Sequence, residues 1–443
     1  MRAGQIIGVL VLTLFVFGVV MVASARLRPL PRTAAELGYD PASGSHYLDK
    51  SAEPEASPDS VTGGGVASLP GRKVMDTVLG KEGRMAIFAM IALGIGALVP
   101  VERLAALKGL AAPAPWLLTL IVSLLLATLL MGQQNFGATR WLEFGGFSFQ
   151  PSEIAKWGLP AVIAWHCVRH AEGMHRFFTG VLPPLVLGGF VCALIAKEDL
   201  GTAVLVMAVC VFMLLLAGGR LLHLALIAPV GILGFVGFVL ASPERQRRIM
   251  AFIDPFEFAQ LDGYQLVQSM VAISEGGPGG NGLGHSLQKF GFLPFDHTDF
   301  IFAIICEELG FFGAALLIAI LVGILLAGLS IVTGRSSPAA VDETLARRAV
   351  PPFSRLFGFG ILITFGFQAV FNIAVVTGLA PTKGIALPLV SQGGTGWVLT
   401  AFSLGLVIAM DRRAWAVSRS AGLVQEVDEA SVPSSGSHAF GEA

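Results

Sequence analysis

Apolar runs of about twenty residues recur along almost the whole chain, and no other feature constrains its fold as tightly. A helix rises 1.5 Å per residue, so about 20 apolar residues cross the roughly 30 Å hydrocarbon layer of a bilayer. Ten stretches approach that length: residues 4–24, 85–102, 113–131, 151–169, 178–196, 200–218, 221–241, 300–332, 355–378 and 396–411. Charge is correspondingly scarce, with 13% Asp, Glu, Lys and Arg in 443 residues, about half the usual globular share of roughly 25%. The strands of a membrane β-barrel would alternate over segments of about 10 residues, and these runs do not. The expected fold is an all-α polytopic membrane protein of about ten transmembrane helices.

The connections are mostly short, with two exceptions. Residues 25–84 contain "AEPEASPDSVTGGG" and are rich in Pro, Ser, Gly and acids, the composition of a disordered loop. Residues 242–299 carry amphipathic stretches around the Gly-rich "EGGPGGNGLG", too patterned for a linker, and are expected to form a large structured extracytoplasmic loop before the eighth helix. The expected organisation is a first transmembrane helix at 1–24, an extracytoplasmic loop at 25–84, a transmembrane core at 85–411 and a cytoplasmic tail at 412–443. The N-terminal run ends in small residues like a signal peptide. It is longer than a usual signal-peptide apolar region and reads as an uncleaved span. Cys167, Cys192, Cys210 and Cys306 all lie in apolar runs with no CxxC spacing and read as small buried hydrophobes. No Cys/His cluster suggests a metal, and a net charge of −1 gives no case for nucleic acid.

Lys and Arg set the expected orientation. With the N-terminus inside, Arg2, Arg103, Lys108, Arg169, Arg176, Arg220, Arg335, Arg347, Arg348, Arg355, Arg412, Arg413 and Arg419 fall on the cytoplasmic side. Both termini are then cytoplasmic. Outside the long second loop, the outward cations are few: Arg140, Lys197, Arg245, Arg247, Arg248, Lys289 and Lys383. Two readings suit them, contact with lipid headgroups or a shared anionic ligand.

Four polar clusters fall on the outward side. In "FLPFDHTDFIFAIICEELG", residues 292–310, Thr298 is the expected N-cap of the eighth helix and Asp299 falls in its first turn. The helix dipole favours an ionised carboxylate there, whether as a proton acceptor at the membrane boundary or as a capping acid. Glu307 and Glu308 are intramembrane acids, costly and therefore functional suspects. Being adjacent, they cannot face one partner, and one is expected to pair with a buried cation or hydroxyl. "GLAPTKGIALPLVSQGGTGW", 378–397, places Lys383 in a Gly/Pro loop that re-enters an apolar stretch. "NFGATRWLEFGGFSFQPSEIAKW", 135–157, puts Arg140 beside Trp141 and opens a helix at Pro151 with Glu153 and Lys156 near its start. "KEDLGTA", 197–203, starts the sixth span.

Taken together, "RWLEFGGFSFQPSEIAKW", "EDLGTAVLV", "RRIMAFIDPFE…GYQLVQSMVAISEGGPGGNGLG", "HTDFIFAIICEELG" and "PTKGIALPLVSQGG" resemble, in order, the SEDS family (FtsW/RodA/SpoVE) of bacterial cell-wall polymerases. "PTKG" resembles the FtsW branch. The chain departs from the usual pattern at Glu198 (usually Pro), at Phe295-Asp296 before His297, and at Gln392 (usually Tyr). The resemblance implies a peptidoglycan glycosyltransferase acting on lipid II in the bacterial cytoplasmic (inner) membrane, with the active site facing the periplasm. It implies Asp299 as general base. Lys383 and Arg140, with Arg245 or Arg248, would hold the diphosphate, and Trp141, Asp199, His297, Ser391 and Gln392 would help bind substrate. A divalent cation, Mg or Mn, bridging an acid and the diphosphate fits this chemistry, although no metal-ligand spacing demands one. The implied partners are a class B penicillin-binding protein transpeptidase and other proteins of the division or elongation machinery. The alternatives are a lipid II flippase or transporter, and a non-catalytic scaffold that recruits a transpeptidase.

Overall fold

The computed structural model describes residues 2–26, 39–40, 45–46, 80–135, 138–144, 147–294, 296–392 and 394–422. All ten expected spans are helical. In chain order they are α1 (Ala3–Arg26), α2 (Lys81–Leu98), α4 (Pro113–Met131) after the short α3 (Val101–Ala106), α5 (Pro151–Arg169), α6 (Leu182–Ala196) and α7 (Leu200–Leu216). There follow α8 (Leu221–Leu240), the loop helices α9 (Pro243–Ile253) and α10 (Tyr264–Gly276), α11 (Ile301–Val332), the short α12 (Glu343–Ala349), α13 (Pro352–Val376) and α14 (Gly394–Ser420). Seven of these segments, α6 being taken with the helical turn Phe177–Val181 before it, are long and apolar enough to cross a membrane on length and composition alone. The other three spans are α2, which opens with Lys81, Glu82 and Arg84, α5, which carries Glu153 and Lys156, and α7, which has 17 residues.

Strand structure is minor. Tyr39–Asp40 (β1) pairs with Ser45–His46 (β2), and β3 (Gln133–Asn135), β4 (Ala138–Phe144) and β5 (Phe147–Phe149) form an antiparallel ribbon between α4 and α5. The disorder expected of the 25–84 loop falls on residues outside those described.

Small residues let the helices approach closely, the usual solution where lipid offers no hydrophobic drive for association. At the crossing of α2 and α14, a Cβ on Gly405 would stand 2.3 Å from the Leu93 carbonyl oxygen, and one on Gly96 would stand 2.3 Å from that of Phe402. α1 lies against α11 and α14. Its start is tied to the end of α14, where the Gly4 N–H donates to Asp411 at 3.2 Å and the Arg2 guanidinium lies 4.6 Å from the centre of the Trp415 ring. At the opposite end of α1, Arg26 pairs with the buried Glu82 at 2.7 Å. α8 stands apart, with Leu224 and Val239 its buried residues. A helix apolar all round and packed on so little protein is one that faces lipid.

The eighth span differs from its expectation as one continuous helix. At Gly310 the backbone takes φ 63°, ψ −163°, a region that residues with a Cβ scarcely enter. The first part of α11, 301–309, is almost wholly buried, and the part after Gly310 is long enough to cross the bilayer at about 33 Å. The Gly-rich loop fits into the break. Asn281 and Gly282 N–H groups donate to the carbonyls of Glu307 and Glu308, both at 2.9 Å, and the Phe311 N–H donates to Gly277 at 2.9 Å. Carbonyls freed by the break thus find partners, as a low-dielectric interior requires.

Thr298 is not the N-cap. The helix starts at Ile301, its cap position is Phe300, and Asp299 lies in the turn before it. In that turn the Asp299 carbonyl accepts from Asn372 Nδ2 of α13 at 2.7 Å.

Both Glu307 and Glu308 are fully buried and each has a structural partner, where only one was expected to. Glu307 accepts from the Ser286 hydroxyl and from the Leu287 N–H at 2.6 Å. Glu308 accepts from Lys289 Nζ at 3.1 Å and from the Ser24 hydroxyl at 2.5 Å. Lys289, expected among the outward cations, is therefore interior, 0% exposed, and its ammonium also donates to the Ser24 carbonyl at 3.3 Å. A charge so buried persists only when paired and hydrogen-bonded, and this one fastens the 242–299 loop to α1 and α11.

Candidate functional site

Helix starts and loops at the Glu82 end of the bundle enclose a cavity of about 640 Å³. α5 supplies Glu153 and Lys156 from its first turns, following Pro151, whose fixed φ and missing N–H suit a helix start. Lys156, 3% exposed, donates to Glu153 at 2.6 Å. Asp199 caps α7. Its carboxylate accepts from the Thr202 N–H at 3.1 Å and the Thr202 hydroxyl at 2.9 Å, which aligns an acid at the positive end of the helix. From the 242–299 loop come Arg248 on α9, Asp262, and Tyr264 and Gln265 at the start of α10; from the turn before α11 come Thr298 and Asp299. The loop between α13 and α14 contributes Thr382, Lys383 and Gly384.

Two polar residues of α13 hold these loops in place. Asn372, 1% exposed, donates through one amide nitrogen to the carbonyls of Asp299 and Ile385, both at 2.7 Å. Gln368 donates to the Ala386 carbonyl at 2.8 Å. The two loops also join directly, with the Gln392 N–H donating to the His297 carbonyl at 3.0 Å. The segment carrying Asp299 and the segment carrying Lys383 are therefore referenced to one side chain. Farther along the second loop, Leu389 has φ 64°, an unfavourable conformation for a residue with a Cβ, and is buried beside α1 at Gly18.

Of the residues singled out in the sequence, Asp299, Lys383, Trp141, Arg248, Asp199 and Gln392 line this cavity. Three others, Arg245, Ser391 and His297, are placed differently. Arg245 lies with its guanidinium 3.8 Å from the centre of the Phe238 ring and donates to the Phe238 carbonyl at 3.0 Å, so it packs on the end of α8. Ser391 is fully buried. Its hydroxyl accepts from the Leu387 N–H at 2.7 Å and its carbonyl from the Trp397 indole at 2.7 Å, so it shapes the loop. The His297 ring contacts Asp296 at 2.6 Å and joins the site through its backbone. Arg140 lies on β4 beside Trp141; its side chain is outside the described residues. Arg248 itself is paired with Glu244 at 2.7 Å, an exposed bond weak enough to exchange for a ligand.

The lining also includes residues to which the sequence reading gave no role: Glu153, Lys156, Asp262, Tyr264, Gln265 and Thr382. A signal existed for the first two, as oppositely charged residues three apart at the mouth of an apolar helix. Gln368 and Asn372 were visible as amides inside an apolar span, which membrane burial makes costly without a task. Among the described residues the cavity thus presents three cations (Lys156, Arg248 and Lys383) and four acids (Glu153, Asp199, Asp262 and Asp299) between apolar helices. Such a mixture offers acceptors for hydroxyl groups and separate cations for an anionic group. Among the described residues no group of three His, Cys, Asp or Glu side chains is arranged to hold a metal ion.

The chain matches the family model for cell cycle proteins of the FtsW, RodA and SpoVE type over residues 76–415. It is 39% identical over 295 residues to the probable peptidoglycan glycosyltransferase FtsW of Aliivibrio salmonicida, spanning 66% of this chain and 71% of that one. It is 35% identical over 284 residues to the stage V sporulation protein E of Bacillus subtilis, spanning 64% and 74%. Among solved structures it resembles a chain of a peptidoglycan synthase complex described as coordinating polymerization and crosslinking, with a TM-score of 0.60 and 26% identity over 75% of this chain and 89% of that one. It shares its fold with the rod shape determining protein RodA of Thermus thermophilus, with a TM-score of 0.53 and 23% identity over 92% and 96%.

Proposed function

The chain belongs to the FtsW/RodA/SpoVE family of cell cycle proteins, and from that premise we propose that it is a peptidoglycan glycosyltransferase that polymerises lipid II into glycan strands. The observation that carries the reading is that one cavity is lined by both Asp299 and Lys383, whose two loops Asn372 joins. In this reaction a sugar hydroxyl of one substrate attacks the anomeric carbon of another, and an undecaprenyl diphosphate departs. Asp299 takes the hydroxyl proton as general base. Lys383 holds the charge that grows on the leaving diphosphate, with Arg248 and Arg140 as further holders. Lys383 acts as a point charge, whereas an Arg grips two oxygens. Asp199, Trp141 and Gln392 position the sugars, and the lipid tails lie between helices. Glu153 and Lys156, paired in the same wall, add a polar patch for substrate hydroxyls. A divalent cation, Mg or Mn, would take most of its ligands from the diphosphate and water and one from a cavity acid; activity with and without a chelator tests that part.

The membrane is the bacterial cytoplasmic membrane. Both termini face the cytoplasm and the cavity faces the periplasm, a reading supported by Arg2, Arg103, Arg412 and Arg413, which gather at the opposite end from Asp299. The partner is a class B penicillin-binding protein within the division or elongation machinery. This is supported by the likeness to a complex that couples polymerization to crosslinking. A flippase reading gains less support, because the charged lining belongs to one end of the bundle rather than to its midplane. The test is to incubate the purified chain, alone and with its transpeptidase, with labelled lipid II and to resolve the products by length. Strands that form with the wild type and not with Asp299→Ala support the reading. Absence of strands from wild type with its partner, alongside lipid II movement across vesicles, would replace it with the flippase.

A further inference from the structure

At the end of the bundle remote from Asp299, a second cavity of about 450 Å³ is rimmed by Arg2, Arg103, Arg412, Arg413 and Arg419. These arginines come from three places: the chain start, α3 and α14. Arg412 and Arg419 lie seven residues apart, two turns along one face of α14. The one acid among the described lining residues, Glu102, already accepts from the Ser354 hydroxyl. The floor is apolar, formed by Leu98, Val99, Pro100, Val101 and Met410. Arg412 donates to the Ala97 carbonyl at 2.8 Å, capping α2 and holding the rim to the floor. Beside the opening, the polypeptide of α3 and its sequel mixes cation and hydrocarbon: Arg103 and Lys108 with Leu104, Leu107 and Leu110, the last 87% exposed. Exposed leucines among cations, where spanning helices end, mark a segment lying in the headgroup layer.

We infer that this cavity is a binding site for the headgroup of an anionic glycerophospholipid. Its phosphate sits among Arg103, Arg412, Arg413 and Arg419, and its acyl chains pass over the Leu98–Val101 floor into the bilayer. Guanidinium forks match phosphate oxygens bidentately, and the apolar floor continuous with lipid-facing leucines favours a lipid over a soluble anion or an acidic protein. The site is separate from the Asp299 cavity and does not depend on the activity proposed for it.

The experiment uses the full purified chain in neutral micelles. Tryptophan fluorescence is titrated with phosphatidylglycerol or phosphatidylcholine carrying brominated acyl chains as quenchers. Trp415 is held beneath Arg2 of the rim, and the site's share of the quenching is the part lost on Trp415→Phe. Wild type should prefer phosphatidylglycerol by on the order of 100-fold, and Arg103→Gln/Arg413→Gln/Arg419→Gln should lose most of that, at about fivefold per cation. The corresponding Lys triple should keep most of the preference. If the Gln triple does not fold, the single Arg413→Gln and Arg419→Gln variants should each weaken phosphatidylglycerol about fivefold. The inference is overturned if wild type shows no preference or if the folded Gln variants keep it in full. It is also overturned if inorganic phosphate or a polyglutamate peptide displaces the lipid at comparable concentration.

Discussion

Replacing Asn372 by Leu is the perturbation that separates a site held by its scaffold from one that merely contains the right residues. The substitution keeps side-chain size in a position 1% exposed and removes two donors at 2.7 Å, those to Asp299 and Ile385. The Ile385 carbonyl is buried and its lost bond costs about 1–3 kcal/mol, whereas the Asp299 carbonyl borders the cavity, so the folded state should lose about 1–3 kcal/mol. The loss of activity should be larger than this destabilisation explains. Freed from a common anchor, the Asp299 and Lys383 loops drift relative to each other, and a displacement of about 1 Å costs on the order of 100-fold in rate. The assay is glycan-strand formation from labelled lipid II, normalised to folded protein by monodisperse elution and thermal unfolding. Val370→Ala, on an exposed position of the same helix, serves as control and should stay near wild type. In an Asp299→Asn background, Asn372→Leu should cost little more, because residues acting as one unit are not additive. Unchanged activity per folded molecule, or a full second loss in that background, would refute the anchoring argument.

Other substitutions address the remaining parts. Lys383→Ala should abolish most polymerisation and Lys383→Arg should retain more, measured as initial rate over a range of lipid II concentrations. Gly310→Ala should destabilise or prevent folding, because a Cβ would stand 2.3 Å from the Gly280 nitrogen in a backbone conformation closed to alanine; yield and thermal unfolding read it out. Lys289→Met should cost about 3–5 kcal/mol by leaving Glu308 buried and unpaired, and Lys289→Met/Glu308→Leu should recover part of that in the same unfolding measurement. Cysteines introduced at positions 60 and 285 should label from outside intact cells and those at 340 and 430 should not; labelling at 340 would reverse the proposed orientation.

The helical spans were legible because membrane burial writes itself into composition, and each apolar run could be read without knowing its neighbours. The break at Gly310 was not, since a glycine in an apolar run is also an ordinary packing residue. Only the Gly-rich loop docked onto Glu307 and Glu308 explains it. Lys289 misled for a related reason. Its charge counts as outward by topology, whereas its buried partner lies nineteen residues away along the chain. Asp299 and Lys383 could be picked out as polar residues at span mouths, but their placement around one cavity depends on Asn372, a contact spanning 73 residues. Ser391 and Arg245 carried suitable chemistry in motif positions, yet the side-chain directions that assign them to the loop interior and to Phe238 are set by backbone geometry that residue type does not reveal.

The central claim is that Asp299 accepts the proton of the attacking hydroxyl, and Asp299→Asn tests it most directly. Asn keeps the size and polarity of the side chain in a turn it tolerates, and the hydrogen bond from Asn372 engages the backbone carbonyl, which the substitution leaves in place. Folding and lipid II binding should therefore survive, while glycan-strand formation per folded molecule falls by about 10²–10⁴-fold. Polymerisation by Asp299→Asn at close to the wild-type rate would contradict the assignment of Asp299 as the base.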